Sequence, residues 1–390
     1  MIDTIVLTLN QKMFTITDHD RFEPSTKGLF DGTYGLGGRG YIACKQNPTP
    51  SELKAGIYKP RLTLTKRLNS GIYQTMMKIE FSAPKLLFNN NFDELEEGDF
   101  DSLITTIQQK LKEMGVLVFS SFLTNTPVSA IHYSKNIPLT DGSSPYMYLK
   151  EIQKANINLR LDFNQSDFRN EGHSLKFRTN SFEVAFYDKI KDLERAKISE
   201  KRAIEEDNFI QMGLFDNIQR YRRQKSFEVL RMEIRLNQKQ KIRQVLKKIG
   251  LEVEPTFQNL FKKEIAKRVL LYHLNQIEDA YPKVLYFKPK SAKDFIAQFT
   301  IDNPQTKLKD PFTAFGFYKA LEEIPTREIR ELLKKYPKRA WYRFYEEINN
   351  FIYPKTSIPI FGTIRNSINE FKPLKLVDFQ NKMLNNDKYD

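Results

Sequence analysis

Up to Leu236 the apolar residues fall mostly in short stretches of period two, and beyond it they recur at three- and four-residue spacing. From Ser181 to Lys189, alternation places Phe182, Val184 and Phe186 on one face and Tyr187 and Lys189 on the other. From Phe227 to Leu236, Leu230, Met232, Ile234 and Leu236 share one face, while Val229, Arg231, Glu233 and Arg235 share the other. Tyr58–Leu68 and Gly71–Ser82 read as a hairpin turning at residues 69–71, with Glu80 on the polar face of its second strand. Further strands are expected at residues 3–9, Val116–Phe122, Val128–Ile131 and Ile157–Phe163. Leu103, Ile104, Ile107, Leu111 and Met114 mark a helix that stops at Gly115. Other helices are expected over 190–212, Gln238–Ile249, 256–277, 326–335 and 339–348. The acid-rich segment Asp93–Asp101 lacks calcium-loop spacing and reads as a solvated loop ending in a helix N-cap at Asp99 or Asp101. This pattern gives an α+β chain. Two parts are expected: residues 1 to about 245, with an antiparallel sheet flanked by helices, and a mainly helical region over 246–390.

Composition narrows the partner. The chain of 390 residues carries 62 Lys and Arg against 48 Asp and Glu, for a net charge of +14. Such an excess points to a polyanion, and nucleic acid is the usual one. The segment Gln219–Lys225 concentrates Arg220, Arg222, Arg223 and Lys225 around a tyrosine and reads as a phosphate-contacting stretch. No apolar run approaches the ~18–20 residues that span a bilayer, so no membrane partner is expected. MIDTIVLTLN lacks the basic start and cleavage site of a secretion signal. Cys44 is the single cysteine, which excludes a disulfide within the chain and fits a reducing, cytoplasmic setting. Gly35, Gly37 and Gly40 match a dinucleotide-binding pattern, but no buried strand precedes them and no helix follows, so a loop is expected.

Taken singly, a strand tyrosine reads as packing, and a glutamate between arginines as a surface ion pair. Pairing of the two strands in one sheet would bring Tyr187, Lys189, Arg231, Glu233 and Arg235 together. These are a phenol nucleophile, cations for a phosphate and a carboxylate for a metal ion.

The strand leading to Tyr-Asp-Lys at 187–189, followed by Leu-Arg-Met-Glu-Ile-Arg-Leu at 230–236, resembles the gene II/X-type replication proteins of filamentous phages. It is also similar to the Rep-trans rolling-circle plasmid initiators. Upstream, Ile79–Leu95 is similar to the Ser-x-Pro-Lys-x-Leu…Asn-Asn segment of the phage group, and Val128–Pro138 sits where that family has Val-Ser-Arg-Ile-Asp. The resemblance covers roughly residues 1–280. His132 stands where the relatives carry a metal-binding aspartate, a departure from a three-carboxylate site.

The resemblance implies a tyrosine DNA nickase that initiates rolling-circle replication, with Tyr187 as the nucleophile. Glu233, Glu80 and His132 would hold Mg²⁺ or Mn²⁺, and Lys189, Arg231 or Arg235 would lower the phenol pKa or neutralise the phosphorane. The product would be a 5′-phosphotyrosine and a free 3′-OH. The expected partners are origin DNA, duplex or single-stranded, and a host helicase and polymerase. A transposase or mobilisation nickase would use the same chemistry. A non-catalytic basic DNA-binding protein, or a nuclease activating water, are the readings from other classes.

Overall fold

The computed structural model describes residues 1–30, 41–69, 71–156, 166–169, 172–192, 228–355 and 359–378. The expected strand Ile157–Phe163, residues 193–212 of the charged helix, the loop 31–40 and the basic stretch with Arg220, Arg222, Arg223 and Lys225 lie outside the described residues.

The strands are β1 (Ile2–Asn10), β2 (Phe14–Ile16), β3 (Tyr41–Gln46), β4 (Arg61–Asn69), β5 (Ile72–Ser82), β6 (Val116–Val118), β7 (Val128–Leu139), β8 (Ser166–Arg169), β9 (Ser174–Arg178), β10 (Phe182–Asp188) and β11 (Glu228–Leu236). Among the described residues, nine of them form one antiparallel sheet in the order β3-β4-β5-β1-β7-β11-β10-β9-β8. β2 and β6 make a separate small pair. The chain is thus α+β, with helices flanking the sheet and a helical C-terminal region.

Alternation gives the sheet one apolar face. Ile5, Leu7, Ile131, Tyr133, Met232, Ile234, Val184 and Phe186 are buried on it. Helices cover that face because they carry matching apolar stripes. The helix Lys263–Asp279 buries Ile265, Ala266, Val269, Leu270, His273, Leu274 and Ile277. It packs on β7 and β11 and stacks His273 on Phe182 with ring centres 5.6 Å apart. The helix Pro359–Glu370 packs on it in turn and reaches β7. One continuous apolar cluster runs from Met1 to Phe371. The free Cys44 is buried in it. Among the described residues no helix is long and apolar enough to cross a membrane.

Several expectations are met at the level of single elements. The 58–82 hairpin pairs as β4 with β5. The helix Phe100–Glu113 buries Leu103, Ile104, Ile107 and Leu111. It ends at Gly115, whose φ of +77° lies in the region that disfavours side chains. A Cβ there would also meet Asp18 Cβ at 2.7 Å.

Two expectations are corrected. Val116–Phe122 is not one strand: β6 ends at Val118, and Ser120–Asn125 is a short helix that buries Leu123. A brief apolar run fits a strand or a buried helical turn equally well, so periodicity alone does not separate them. The acidic segment 93–101 is not simply a solvated loop. Glu96 and Asp99 form the capping box before Phe100, but Glu94 is only 4% exposed. Lys135 Nζ lies 2.5 Å from its Oε2, and Asn136 N and Leu374 N donate to it at 2.7 and 2.9 Å. Burial by itself would raise the Glu94 pKa, but Lys135, the buried Met1 ammonium and the Asn136 N–H hold it below the usual range.

Candidate active site

β11 is the middle strand of the polar cluster, and its two registers decide which side chains meet. Across β10, Glu183 faces Arg235, Ala185 faces Glu233 and Tyr187 faces Arg231. Across β7, His132 faces Arg235, Ser134 faces Glu233 and Asn136 faces Arg231. Glu233 therefore has a small residue on either side. Diagonal neighbours on a sheet lie within reach of long side chains, and here they fill the space. The Tyr187 hydroxyl donates to Glu233 Oε2 at 2.9 Å. Arg235 Nε donates to Glu233 Oε1 at 2.8 Å, and Arg235 Nη1 lies 3.1 Å from Glu183. His132 Nδ1 lies 3.6 Å from Glu233 Oε1, and its Nε2 lies 3.2 Å from Asn237 Oδ1. A proton on Nε2, donated to that amide oxygen, leaves the Nδ1 lone pair facing Glu233.

Asp3 enters from β1. The β1–β7 pairing shifts register between Ile2 and Ile5, an irregularity of the kind that re-aims side chains. Arg231 binds Asp3 Oδ1 at 2.6 Å, Ser134 Oγ at 2.9 Å, the Asn91 carbonyl at 3.0 Å and Asn136 Oδ1 at 3.4 Å. Its guanidinium is thus spent largely on the protein, and it holds β1, β7 and β11 in place. Among the described residues, Asp3, His132 and Glu233 make one group of three whose ligand atoms all lie within 4.8 Å of one another. Two carboxylates and an imidazole fit a hard or borderline divalent cation such as Mg²⁺ or Mn²⁺.

Burial shapes the protonation states. It pushes the Tyr187 phenol well above its ordinary pKa; nearby Arg231 opposes this and Glu233 reinforces it. Arg231 does lower the phenol pKa as expected, but burial outweighs it, so the phenol stays protonated and donates to Glu233. Burial would also raise Glu233, but Arg235, Arg231 and His132 hold it well below the carboxylate range. His132 is lowered by burial, which favours the neutral imidazole that a metal needs. Burial takes Lys189 down to about 8.

Lys189 corrects one detail of the sequence reading. The strand ends at Asp188, whose carboxylate accepts from the backbone N–H of Ile190 and Lys191, both at 3.0 Å. This N-cap turns the chain into a helix at Lys189, so strand alternation does not place that side chain. Lys189 is nevertheless fully buried beside Tyr187, with Nζ 5.8 Å from the ring centre and 3.4 Å from Asp192.

The structure thus brings together Tyr187, Lys189, Arg231, Glu233, Arg235 and His132. It does not bring Glu80. That residue faces Val6 on β5, and β1 stands between it and β7, at ~4.8 Å per strand. Glu80 instead binds Lys78 on its own strand at 2.6 Å. Asp3 supplies the second carboxylate. Sequence reading missed it, together with Glu183 and Asn237. An isolated acid opening an apolar strand was the only signal for Asp3, and its meaning depends on which strand lies next to β1. A cleft of about 890 Å³ lies apart from the cluster, against Phe14, Phe119 and Phe122. No protein-family model, curated protein or solved structure matches this chain.

Proposed function

We propose that this protein is a metal-dependent tyrosine DNA strand transferase, used to initiate rolling-circle replication. The observation that carries the reading is the shared carboxylate: Glu233 accepts the Tyr187 hydroxyl at 2.9 Å and also belongs to the Asp3–His132–Glu233 group. A structural tyrosine needs a hydrogen-bond acceptor, but it does not need one set between an imidazole, a second carboxylate and two guanidinium groups. The net charge of +14 supports a polyanionic substrate.

Asp3, Glu233 and neutral His132 would hold the cation. When bound, it would polarise the scissile phosphate and favour the phenolate. Tyr187 Oη attacks phosphorus, and the phosphorus–O3′ bond breaks as the new bond forms. With a cation bound the phenol would ionise and release its proton to solvent as Oη attacks, Glu233 orienting the phenol through their hydrogen bond, and the Lys189 ammonium protonates the departing 3′ oxygen. An amine brought to about 8 is matched to that proton transfer near neutral pH. Arg235, partly exposed, neutralises charge on the phosphorane, while buried Arg231 positions Asp3 and Glu233. The reverse steps rejoin the strand, because the phosphodiester is conserved in the tyrosine linkage.

The test uses single-stranded DNA labelled at either end, with Mn²⁺ or Mg²⁺ and then with EDTA. Label at the 3′ end is expected on the protein in a denaturing gel. Label at the 5′ end is expected on a shortened strand that a polymerase extends. Cleavage without label on the protein would mean attack by water, and binding without cleavage would mean a plain DNA-binding protein.

A further inference from the structure

Far from the Tyr187 cluster in sequence, two helices, Thr326–Leu332 and Lys338–Asn350, are joined by a short corner at residues 333–337. Residues 331–339 are exposed without interruption. From Leu332 to Tyr345 the chain carries Lys334, Lys335, Lys338, Arg339 and Arg343 and no acidic residue. Exposed cations elsewhere are commonly matched: Lys27 with Asp20, Lys78 with Glu80, Arg243 with Glu254, Arg268 with Glu264 and Lys319 with Glu322. Among the described residues none of the five corner cations has a carboxylate partner. Tyr336, between the two helices, is 52% exposed with Lys335 Nζ 5.2 Å from its ring centre.

We infer that this corner is a second DNA contact surface, which grips the phosphate backbone away from the tyrosine site. Five unmatched cations within fourteen residues, bounded by Glu331 and by Glu346 and Glu347, concentrate positive charge on this exposed stretch, and phosphates are the ligand that such a stretch fits without base readout. The exposed Tyr336 ring offers a face on which an unpaired base can stack. An anionic membrane is the poorer fit: Leu332, Leu333 and Tyr342 are exposed beside the cations, but they form no stripe, and the apolar face of Lys338–Asn350 is already occupied. Trp341 and Ile348 are buried, and Phe344 packs on Phe317 with ring centres 5.2 Å apart. No apolar stripe of that helix remains for insertion. The choice of DNA rests on the strand-transfer reading, while the surface itself does not.

The test is metal-free binding of the full chain to a duplex oligonucleotide across a salt series. One variant replaces Lys334, Lys335, Lys338, Arg339 and Arg343 with Gln. A control replaces the matched cations Lys27, Lys78, Arg243, Arg268 and Lys319 with Gln. The corner variant should lower the log–log salt slope by about 3 to 4 and weaken binding at least about 30-fold at ~100 mM salt. The control should lose much less. Tyr336→Ala should weaken single-strand binding by about five- to tenfold and leave the duplex slope unchanged. Equal slopes in the two five-site variants would overturn the inference. So would unchanged DNA binding with lost binding to phosphatidylcholine–phosphatidylglycerol vesicles. Covalent adduct formation on a saturating short single strand should stay within about twofold. If neither wild type nor variant forms an adduct while the slope still falls, the strand-transfer reading fails and this surface stands.

Discussion

β7 carries a buried ion cluster on each of its faces, and the two are built differently. On one face Lys135 meets Glu94, whose remaining capacity is taken by the backbone N–H of Asn136 and Leu374. Lys135 also donates to the Lys372 carbonyl at 2.8 Å. The partners there are one lysine, the buried Met1 amino group and backbone N–H groups, and the result ties the 93–94 loop and the 372–374 segment to the sheet. On the other face His132 meets Glu233, which also receives a phenol and a guanidinium. That carboxylate is surrounded by groups that can move a proton, bind a cation or attack phosphorus. Both glutamates are ionised and buried. A carboxylate saturated by backbone fastens the fold; one shared among titratable side chains is poised for chemistry. Asn136 joins the two clusters, since its N–H serves Glu94 and its side-chain oxygen faces Arg231.

Mutation should separate the clusters. Glu233→Gln removes the shared charge, and its adduct-forming rate should fall by at least about a thousandfold, since it acts on nucleophile and cation together. Single-turnover kinetics would read this, and a loss under tenfold would break the contrast. Glu94→Ala leaves Lys135 buried and unpaired, so denaturant unfolding should show a loss of about 3–5 kcal/mol. Its folded fraction should still form adduct at a rate within a few-fold of wild type.

Lys189→Met should behave oppositely, gaining about 2–3 kcal/mol of stability while losing strand transfer. Its folded-state pKa of about 8 lies below the ordinary ~10.4 of a lysine. The folded state therefore holds fewer protons than the unfolded state between these values. Stability should rise as pH increases through that window, and the penalty is fully present below it. The rise should vanish in Lys189→Met. A wild-type curve flat from pH 8 to 10 would contradict the buried placement. Asp3→Asn should have the smallest effect, raising the Mn²⁺ concentration for half-maximal activity by about 10- to 100-fold. An unchanged metal requirement would remove Asp3 from the ligand set.

Much of the candidate site could be read from alternation, because period two is a local property. It sorted Arg231, Glu233 and Arg235 onto one face of β11, and Tyr187 onto the matching face of β10. The resemblance to the phage group directed attention to His132. Sheet order is not local. Glu80 lies on a polar strand face as expected, but β1 separates its strand from β7, and that same β1 delivers Asp3. Lys189 escaped alternation because the Asp188 cap ends the strand one residue earlier. The 116–122 run escaped because its apolar residues suit two backbones. Glu94 was hidden because a buried acid and a solvated one look alike in sequence until Lys135 and Leu374 are placed around it.

The most direct measurement is adduct formation by Tyr187→Phe. That change removes one hydroxyl and leaves Glu233 with Arg235 and His132 as neighbours, so the fold should persist. The account predicts normal DNA binding, an unfolding midpoint close to wild type and no covalent DNA–protein band with Mn²⁺ or Mg²⁺. A covalent band of wild-type intensity in the folded variant would place the nucleophile elsewhere and contradict the account.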